Sequence, residues 1–472
     1  MLIKLKLFTA VLIGIPFSYV WLLPGNALVA DERPNIVLIL ADDLGWTGLG
    51  CYGSEFYETP NIDNLAAEGT RFTMAFSAAS NCAPSRATIM SGQYTPKHRV
   101  LYVGSGTFQQ RWKKSKGNLK AFKMLQPKGE TTLPTGEKTI AETLKKAGYR
   151  TAMFGKWHLG AKKQSPIQRG FDVAIESHGA HFGFQTEPKV SHPQNQYLSD
   201  FLSDQAALFI KRSAKSKEPF FVYYADFLVH KPFEAKDRYL EHFSGKARSK
   251  NHKSPMAAAM IRSLDDSVGK ILAAIDENGL RENTLVIFTS DNGGLAYQED
   301  GDRSTNTSNY PLRGRKGSEF DGGIRVPWIV QWPKKTPVGV VCDVPIHHVD
   351  LFPTFSAVAN ATQPIQALHG VDLTQLFQSP EKGLPKRNLY WYLPGYSAFH
   401  SPSVMVRRGN WKLIRSLENE SFTLFETSID IGETKDVSDD NLSLASALDD
   451  AAMKWLDDLD APRMKPNPEY QR

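Results

Sequence analysis

Cysteine is scarce in this sequence: 472 residues hold three, Cys51, Cys82 and Cys342. Three thiols form at most one bridge, so a disulfide framework is excluded even for an exported chain, and one thiol is left over. Beyond residue 23 no apolar run approaches the roughly 20 residues that span a bilayer. There is no internal repeat and no low-complexity tract. Charge of one sign is also lacking, with 56 Lys and Arg against 50 Asp and Glu, a net +6. Two of those lysines, Lys4 and Lys6, belong to a leader, so a mature chain carries 54 basic and 50 acidic groups, or +4. That excess excludes a histone-like or nucleic-acid-coated protein but leaves room for local basic pockets. Hydrophobic residues at 41% and charged residues at 22% exclude disorder and collagen. At roughly 150 residues per domain the length fits three domains, or one large α/β domain with a smaller partner.

The leader begins with Lys4 and Lys6, continues as an apolar run from residue 7 to 23, and closes on Pro24, Gly25, Asn26 and Ala27. Charged start, apolar centre and small residues describe a secretory signal over residues 1–30, with cleavage after Ala27 or Ala30. Pro16 and the weak hydrophobicity of the run favour cleavage over a retained anchor. The expected location is periplasmic or secreted, with no membrane span after cleavage.

From residue 35 short apolar runs alternate with amphipathic stretches. Segments 35–40 (NIVLIL), 150–154, 220–225 and 284–289 (TLVIFT) predict fully buried strands of a parallel sheet. Segments 139–147 and 260–278 predict helices between them. The alternation predicts a doubly wound α/β domain over 31–384. Past Pro385, segments 404–414 and 422–425 read as short antiparallel strands around Gly409 and Asn410, and 445–459 as a closing helix. A smaller α+β domain is expected over 385–472.

Ligands of open α/β sheets bind beyond the carboxyl ends of the strands. There the sequence places Asp42 and Asp43, then Lys156 and His158 (GKWHLG), His230 (FLVHKPF), and Asp291 with Asn292 (SDNGG). Each alone has a plain reading. Paired aspartates cap turns, a lone histidine is more often packed or solvated, and Asp-Asn-Gly is most often a turn. Together they are complementary: Asp42, Asp43, Asp291 and Asn292 offer only oxygen ligands, which suit Ca²⁺ or Mg²⁺ over Zn²⁺. No Cys/His cluster with zinc spacing competes. The segment Asn81-Cys82-Ala83-Pro84-Ser85-Arg86 opens an apolar-periodic helix, with Pro84 in its first turn. A thiol at a helix N-terminus, one turn from an arginine, is a candidate nucleophile; a buried structural cysteine is the plain alternative.

CAPSR matches the C-x-P-x-R signature, and the chain resembles the type I, formylglycine-dependent sulfatases of the alkaline phosphatase superfamily, arylsulfatases among them. The likeness covers nearly all of the mature chain, through RPNIVLILADDLGW, ETPNIDNLAAEGTRFTMAF, SGQYTPKH, GKWHLG, SDNGG and LRGRKGSEFDGGIRVP. It implies an alkaline-phosphatase-like α/β domain followed by a small C-terminal sheet domain. It implies that a sulfatase-maturing enzyme, a transient partner, oxidises Cys82 to formylglycine. One Ca²⁺ would be held by Asp42, Asp43, Asp291 and Asn292 with the matured Cys82. Arg86, Lys156, His158, His230 and Lys316 would form the sulfate pocket. Hydrated formylglycine would attack sulfur, His230 with Lys316 would protonate the leaving alcohol, and His158 would take the proton that lets sulfate go. The C-terminal stretch LFETSIDIGETKDVS departs from the family's L-Y-D-L-x-x-D-P-G-E pattern at Glu426 and Ile431, in a turn distant from the chemistry.

Segment 111–128 carries seven basic residues (Arg111, Lys113, Lys114, Lys116, Lys120, Lys123, Lys128) and no acid, and a second basic segment spans 236–253. Solvated loops are the plain reading. The sharper one has them, with Arg303, Arg313 and Arg315 beside Lys316, holding further anionic groups of a sulfated polysaccharide. An aryl sulfate is the simpler substrate. The alternatives are a phosphonate or phosphodiester hydrolase of the same superfamily and a non-catalytic glycan-binding protein.

Overall fold

The computed structural model describes residues 33–104, 107–114, 118–216, 218–295, 307–362, 364, 366–397 and 399–471. The leader, Lys116 and Arg303 lie outside these residues. Eight strands make the central sheet: β1 (Asn35–Ala41), β2 (Thr70–Phe72), β3 (Arg150–Gly155), β4 (Val173–Glu176), β5 (Phe220–Ala225), β6 (Thr284–Ser290), β7 (Trp328–Gln331) and β8 (Val340–Cys342). Their spatial order is β8-β2-β7-β6-β1-β5-β3-β4. Central β1 pairs in parallel with β5 and β6 and is buried at every position. Its residues alternate between two cores, Ile36, Leu38 and Leu40 on one face and Val37 and Ile39 on the other. With both faces covered, every position from Ile36 to Ala41 is apolar, which is why no polar alternation marks the strand.

Helices α1 (Cys82–Ser91) and α2 (Ile140–Lys146) cover one face; α3 (Leu198–Ser213) and α4 (Pro255–Glu277) cover the other. Helix α2 opens with a capping box between Thr139 and Glu142, and α4 with the Ser254 hydroxyl and Pro255 in its first turn. The sheet is mixed where a parallel one was expected, because β7 runs antiparallel to both β6 and β2. Strands β2, β7 and β8 have three or four residues, too few to show a period in sequence.

The second sheet is an antiparallel meander of β9 (Asn388–Leu393), β10 (Ser403–Arg408), β11 (Trp411–Ser416) and β12 (Phe422–Glu426). Gly409, at φ 59°, supplies the left-handed backbone that the tight β10–β11 turn demands. Helix α5 (Leu442–Asp458) packs Leu448, Ala452 and Leu456 against Val404, Val406 and Leu413. Buried charges tie this sheet to the short helix Asp321–Ile324 that precedes β7. Asp321 accepts from Arg407 Nη2 on both oxygens (2.9 and 2.8 Å) and from Lys412 at 2.9 Å. Glu433 accepts from Lys412 and from the Asp321 amide, both at 2.6 Å. Glu433 stands in the stretch that departs from the family pattern, so the departures at Glu426 and Ile431 leave this anchor intact. All three cysteines are free thiols. Among the described residues no helix is long and apolar enough to cross a membrane.

Candidate active site

The ends of β1, β3, β5 and β6 and the start of α1 converge. Asp42 and Asp43 follow β1, and Asp43 takes a left-handed turn (φ 64°). His158, after β3, adopts the same conformation (φ 64°). Ligand atoms of Asp42, Cys82 and Asp291 all lie within 4.8 Å of one another, as do those of Asp42, Asp43 and His230. Lys156 and Arg86 Nη2 (3.5 Å) meet Asp42 Oδ2. Lys316 lies 2.6 Å from Asp43 Oδ1, which also accepts from Asn292 Nδ2 at 2.8 Å. His230 Nε2 is 3.8 Å from Asp43 Oδ2, and its Nδ1 donates to the Lys231 carbonyl at 2.7 Å. The Ser85 hydroxyl bonds both the amide and the carbonyl of Ala79, at 3.0 and 2.9 Å, which fixes the turn leading into α1.

Burial works against ionisation of Asp42, yet Lys156 and Arg86 hold it well below the usual carboxylate range. Asp291 is pushed up to about 6 by burial and by the charge of Asp42, with Arg86 opposing the rise. Burial also raises the Cys82 thiol. His158 falls to about 3, through burial and then the charges of Lys156 and Arg86; burial lowers His230 too. Two buried oxygens, Asp42 Oδ1 and Asn292 Oδ1, have no hydrogen-bond partner among the described residues. Orphaned hard oxygens beside clustered carboxylates are the donor set that a hard cation satisfies. The residues therefore fit a hard divalent cation.

A cavity of about 380 Å³ opens over this cluster and includes His230, Arg315 and Lys316 among its walls. Arg315 lies over the Phe399 ring at 4.0 Å. Arg313 does not line the cavity: it donates to the Glu433 carbonyl at 2.8 Å and stacks on Phe320 at 3.8 Å. The remaining wall includes Phe233, at the end of FLVHKPF, and also Tyr102, Tyr396 and His400, which come from two distant segments that no motif singles out. A larger cavity of about 1140 Å³, around Tyr197, Asp200 and Lys236, contains none of the clustered groups. There Lys236 pairs with Asp200 at 2.6 Å, and nearby Arg238 with Asp266 at 3.3 Å. Three of the six lysines and arginines of the second basic segment, Lys236, Arg238 and Lys246, thus have acidic partners.

The sulfatase family model matches residues 34–361. The chain belongs to the sulfatase family. A second model, the C-terminal part of N-sulphoglucosamine sulphohydrolase, matches residues 316–454. A sulfatase of Formosa agariphila is 30% identical over 516 residues, covering 92% of this chain and 90% of the relative. Human arylsulfatase A is 32% identical over 432 residues, covering 84% and 78%. The crystal structure of Ps i-CgsB in complex with k-i-k-neocarrahexaose matches with a TM-score of 0.76 at 30% identity, over 90% of this chain and 92% of that one. The fold is the alkaline-phosphatase-like α/β arrangement with a small C-terminal sheet, and this sulfatase is a sulfuric ester hydrolase.

Proposed function

We propose that this sulfatase acts on sulfated glycans through a formylglycine made from Cys82 and one Ca²⁺ ion. The observation that carries the reading is the meeting of Cys82, Asp42 and Asp291 within 4.8 Å at the start of a buried helix. Asp42, Asp43, Asp291 and Asn292, with the matured Cys82, would hold the ion, which would supply positive charge to the sulfate and acidify the attacking hydroxyl. Hydrated formylglycine would supply two hydroxyls on one carbon, one to attack sulfur and one to release sulfate.

The other roles follow from the contacts. Lys156 and Lys316 bind the nonbridging sulfate oxygens. Arg86 is fully buried, with its nitrogens on Asp42, Asp291 and the Lys156 carbonyl, so it positions the carboxylates and adds charge from behind them. His230 keeps a proton on Nδ1 for the Lys231 carbonyl, which leaves Nε2 to carry the proton given to the leaving alcohol. His158, held neutral by its surroundings, accepts a proton from the remaining hydroxyl. Among the described residues the charged and imidazole groups lining the cavity are His230, Lys231, Arg315, Lys316 and His400, with no carboxylate. That lining, and the oligosaccharide bound by Ps i-CgsB, support an anionic sugar as substrate.

The proposal includes export after loss of residues 1–30, a catalytic domain over 31–384, a smaller domain over 385–472, and a sulfatase-maturing enzyme as transient partner. Mass spectrometry of the Cys82 peptide from active protein tests it. Formylglycine is expected, with no turnover by Cys82→Ala and a stalled sulfated serine in Cys82→Ser. Unmodified cysteine in fully active material overturns the reading.

A further inference from the structure

Aromatic rings continue outward from the cavity that holds Lys316 and His230. Tyr396 and Phe399 line the cavity itself. The Tyr396 ring lies 4.8 Å from that of Phe122, which lies 6.0 Å from that of Trp112. Trp112 is 41% exposed and Phe399 47%. Rings left partly in water are unfavourable, and a row of them that starts at a binding cavity marks a ligand surface. The row has a basic border. Lys113 and Lys114 beside Trp112, and Lys123 beside Phe122, are exposed and have no ion-pair partner among the described residues.

The row is also held in place. Tyr396 accepts from the Met124 amide at 3.1 Å and donates to Glu418 at 2.8 Å. Gln109 and Gln126 exchange amide-to-side-chain bonds at 2.9 and 2.8 Å. Near the chain end, Lys465–Pro466 pairs antiparallel with Met124–Leu125. Asn467 Nδ2 donates to the carbonyls of Leu119 and Phe122, at 2.9 and 2.8 Å. A merely solvated basic loop gains nothing from such tethers, whereas a binding surface fixed beforehand loses less entropy when it binds.

We propose that Trp112, Phe122, Tyr396 and Phe399 form a stacking track for a glycan chain extending from the sugar in the cavity, and that Lys113, Lys114 and Lys123 pair with its further sulfates. The inference rests on the glycan-sulfatase reading and extends it to substrate length. Pyranose rings present apolar C–H faces and a polar rim, which matches an aromatic face with lysines at its edge.

Binding is measured on Cys82→Ala protein, so that the result does not depend on turnover; sulfate release by matured wild-type protein tests the underlying reading separately. Two sulfated hexasaccharides, one galactan and one glycosaminoglycan, are titrated calorimetrically beside their disaccharides. At least one hexasaccharide binds more tightly than its disaccharide. Adding Trp112→Ala weakens that hexasaccharide roughly tenfold and the disaccharide less than about twofold, and Trp112→Tyr recovers most of the loss. Hexasaccharides with no advantage over disaccharides, or an advantage that survives Trp112→Ala, overturn the track. Dissociation of a dimer by Trp112→Ala in sedimentation also overturns it, because the row is then an interface between copies.

Discussion

Two nitrogens of Arg86, Nε and Nη2, converge on a single oxygen of Asp291, Oδ2, at 2.8 Å each. The other oxygen, Oδ1, accepts from the Asp43 amide at 3.3 Å. Both side chains are fully buried. Removing the guanidinium strands a carboxylate already raised by burial and by Asp42. Arg86→Ala should cost about 3–5 kcal/mol of stability and abolish turnover. Arg86→Lys keeps the charge without the fork, and should recover part of the stability but little activity. Denaturant unfolding and sulfate release, measured in parallel, check this; an Arg86→Ala protein as stable as wild type contradicts it.

Chelation of divalent ions should lower the melting temperature, and Ca²⁺ should restore it. At a free concentration a hundredfold above Kd, the ion adds about 2.7 kcal/mol. Asp42→Asn should lose the calcium-dependent part of that shift. A melting temperature indifferent to both chelator and calcium counts against the ion site.

Proton donation matters most when the leaving group is poor. His230→Ala should therefore lose roughly 10²–10⁴-fold in kcat on a sugar sulfate, and far less on a nitrophenyl sulfate whose phenolate departs unaided. Equal losses on both substrates would take His230 out of the donor role.

Neutralising Lys113 and Lys114 together should raise KM for a sulfated oligosaccharide at low salt. The difference from wild type should shrink as ionic strength nears 0.15 M, where the screening length falls to about 8 Å. A salt-independent difference argues for a structural effect instead.

Asp265 offers a test in stability alone. It is fully buried, and its two oxygens accept from the Ile62 amide at 2.9 Å and from Asn61 at 2.8 Å. Burial raises its pKa from 3.8 to about 6, so the folded chain holds this proton more tightly than the unfolded one. Its contribution is therefore full below pH 3.8 and lost as pH climbs through 6, by roughly 3 kcal/mol. Asp265→Asn does not titrate, and should gain on wild type across that window. Urea midpoints between about pH 4 and 7 measure the gap; a gap that is flat with pH refutes the assignment.

Four strands were legible because the centres of β1, β3, β5 and β6 are buried on both faces, which leaves apolar runs such as Ile36–Ala41 and Leu285–Phe288. Because they lie side by side, the residues just past their ends had to meet at one edge. Asp42, Asp43, Lys156, His158, His230, Asp291 and Asn292 were thus local in sequence terms, each fixed by its own strand, and CAPSR by its own helix start.

What lay between segments was not legible. Arg313 and Arg315 stand two residues apart in LRGRKG, yet one turns to the Glu433 carbonyl and the other to Phe399 in the cavity wall, with Gly314 at φ 83° between them. No periodicity forecasts that divergence. The two basic segments looked alike by composition. Lys236, Arg238 and Lys246 proved to have acidic partners 36, 28 and 188 residues away, while Lys113 and Lys114 lie beside an exposed tryptophan. Sequence alone determined which chemical groups this sulfatase carries and at which edge of the sheet they gather, since burial of a strand is a local property of its residues. Which charges stay available to a substrate was decided only by the tertiary structure, since pairing depends on groups the chain brings together from far apart.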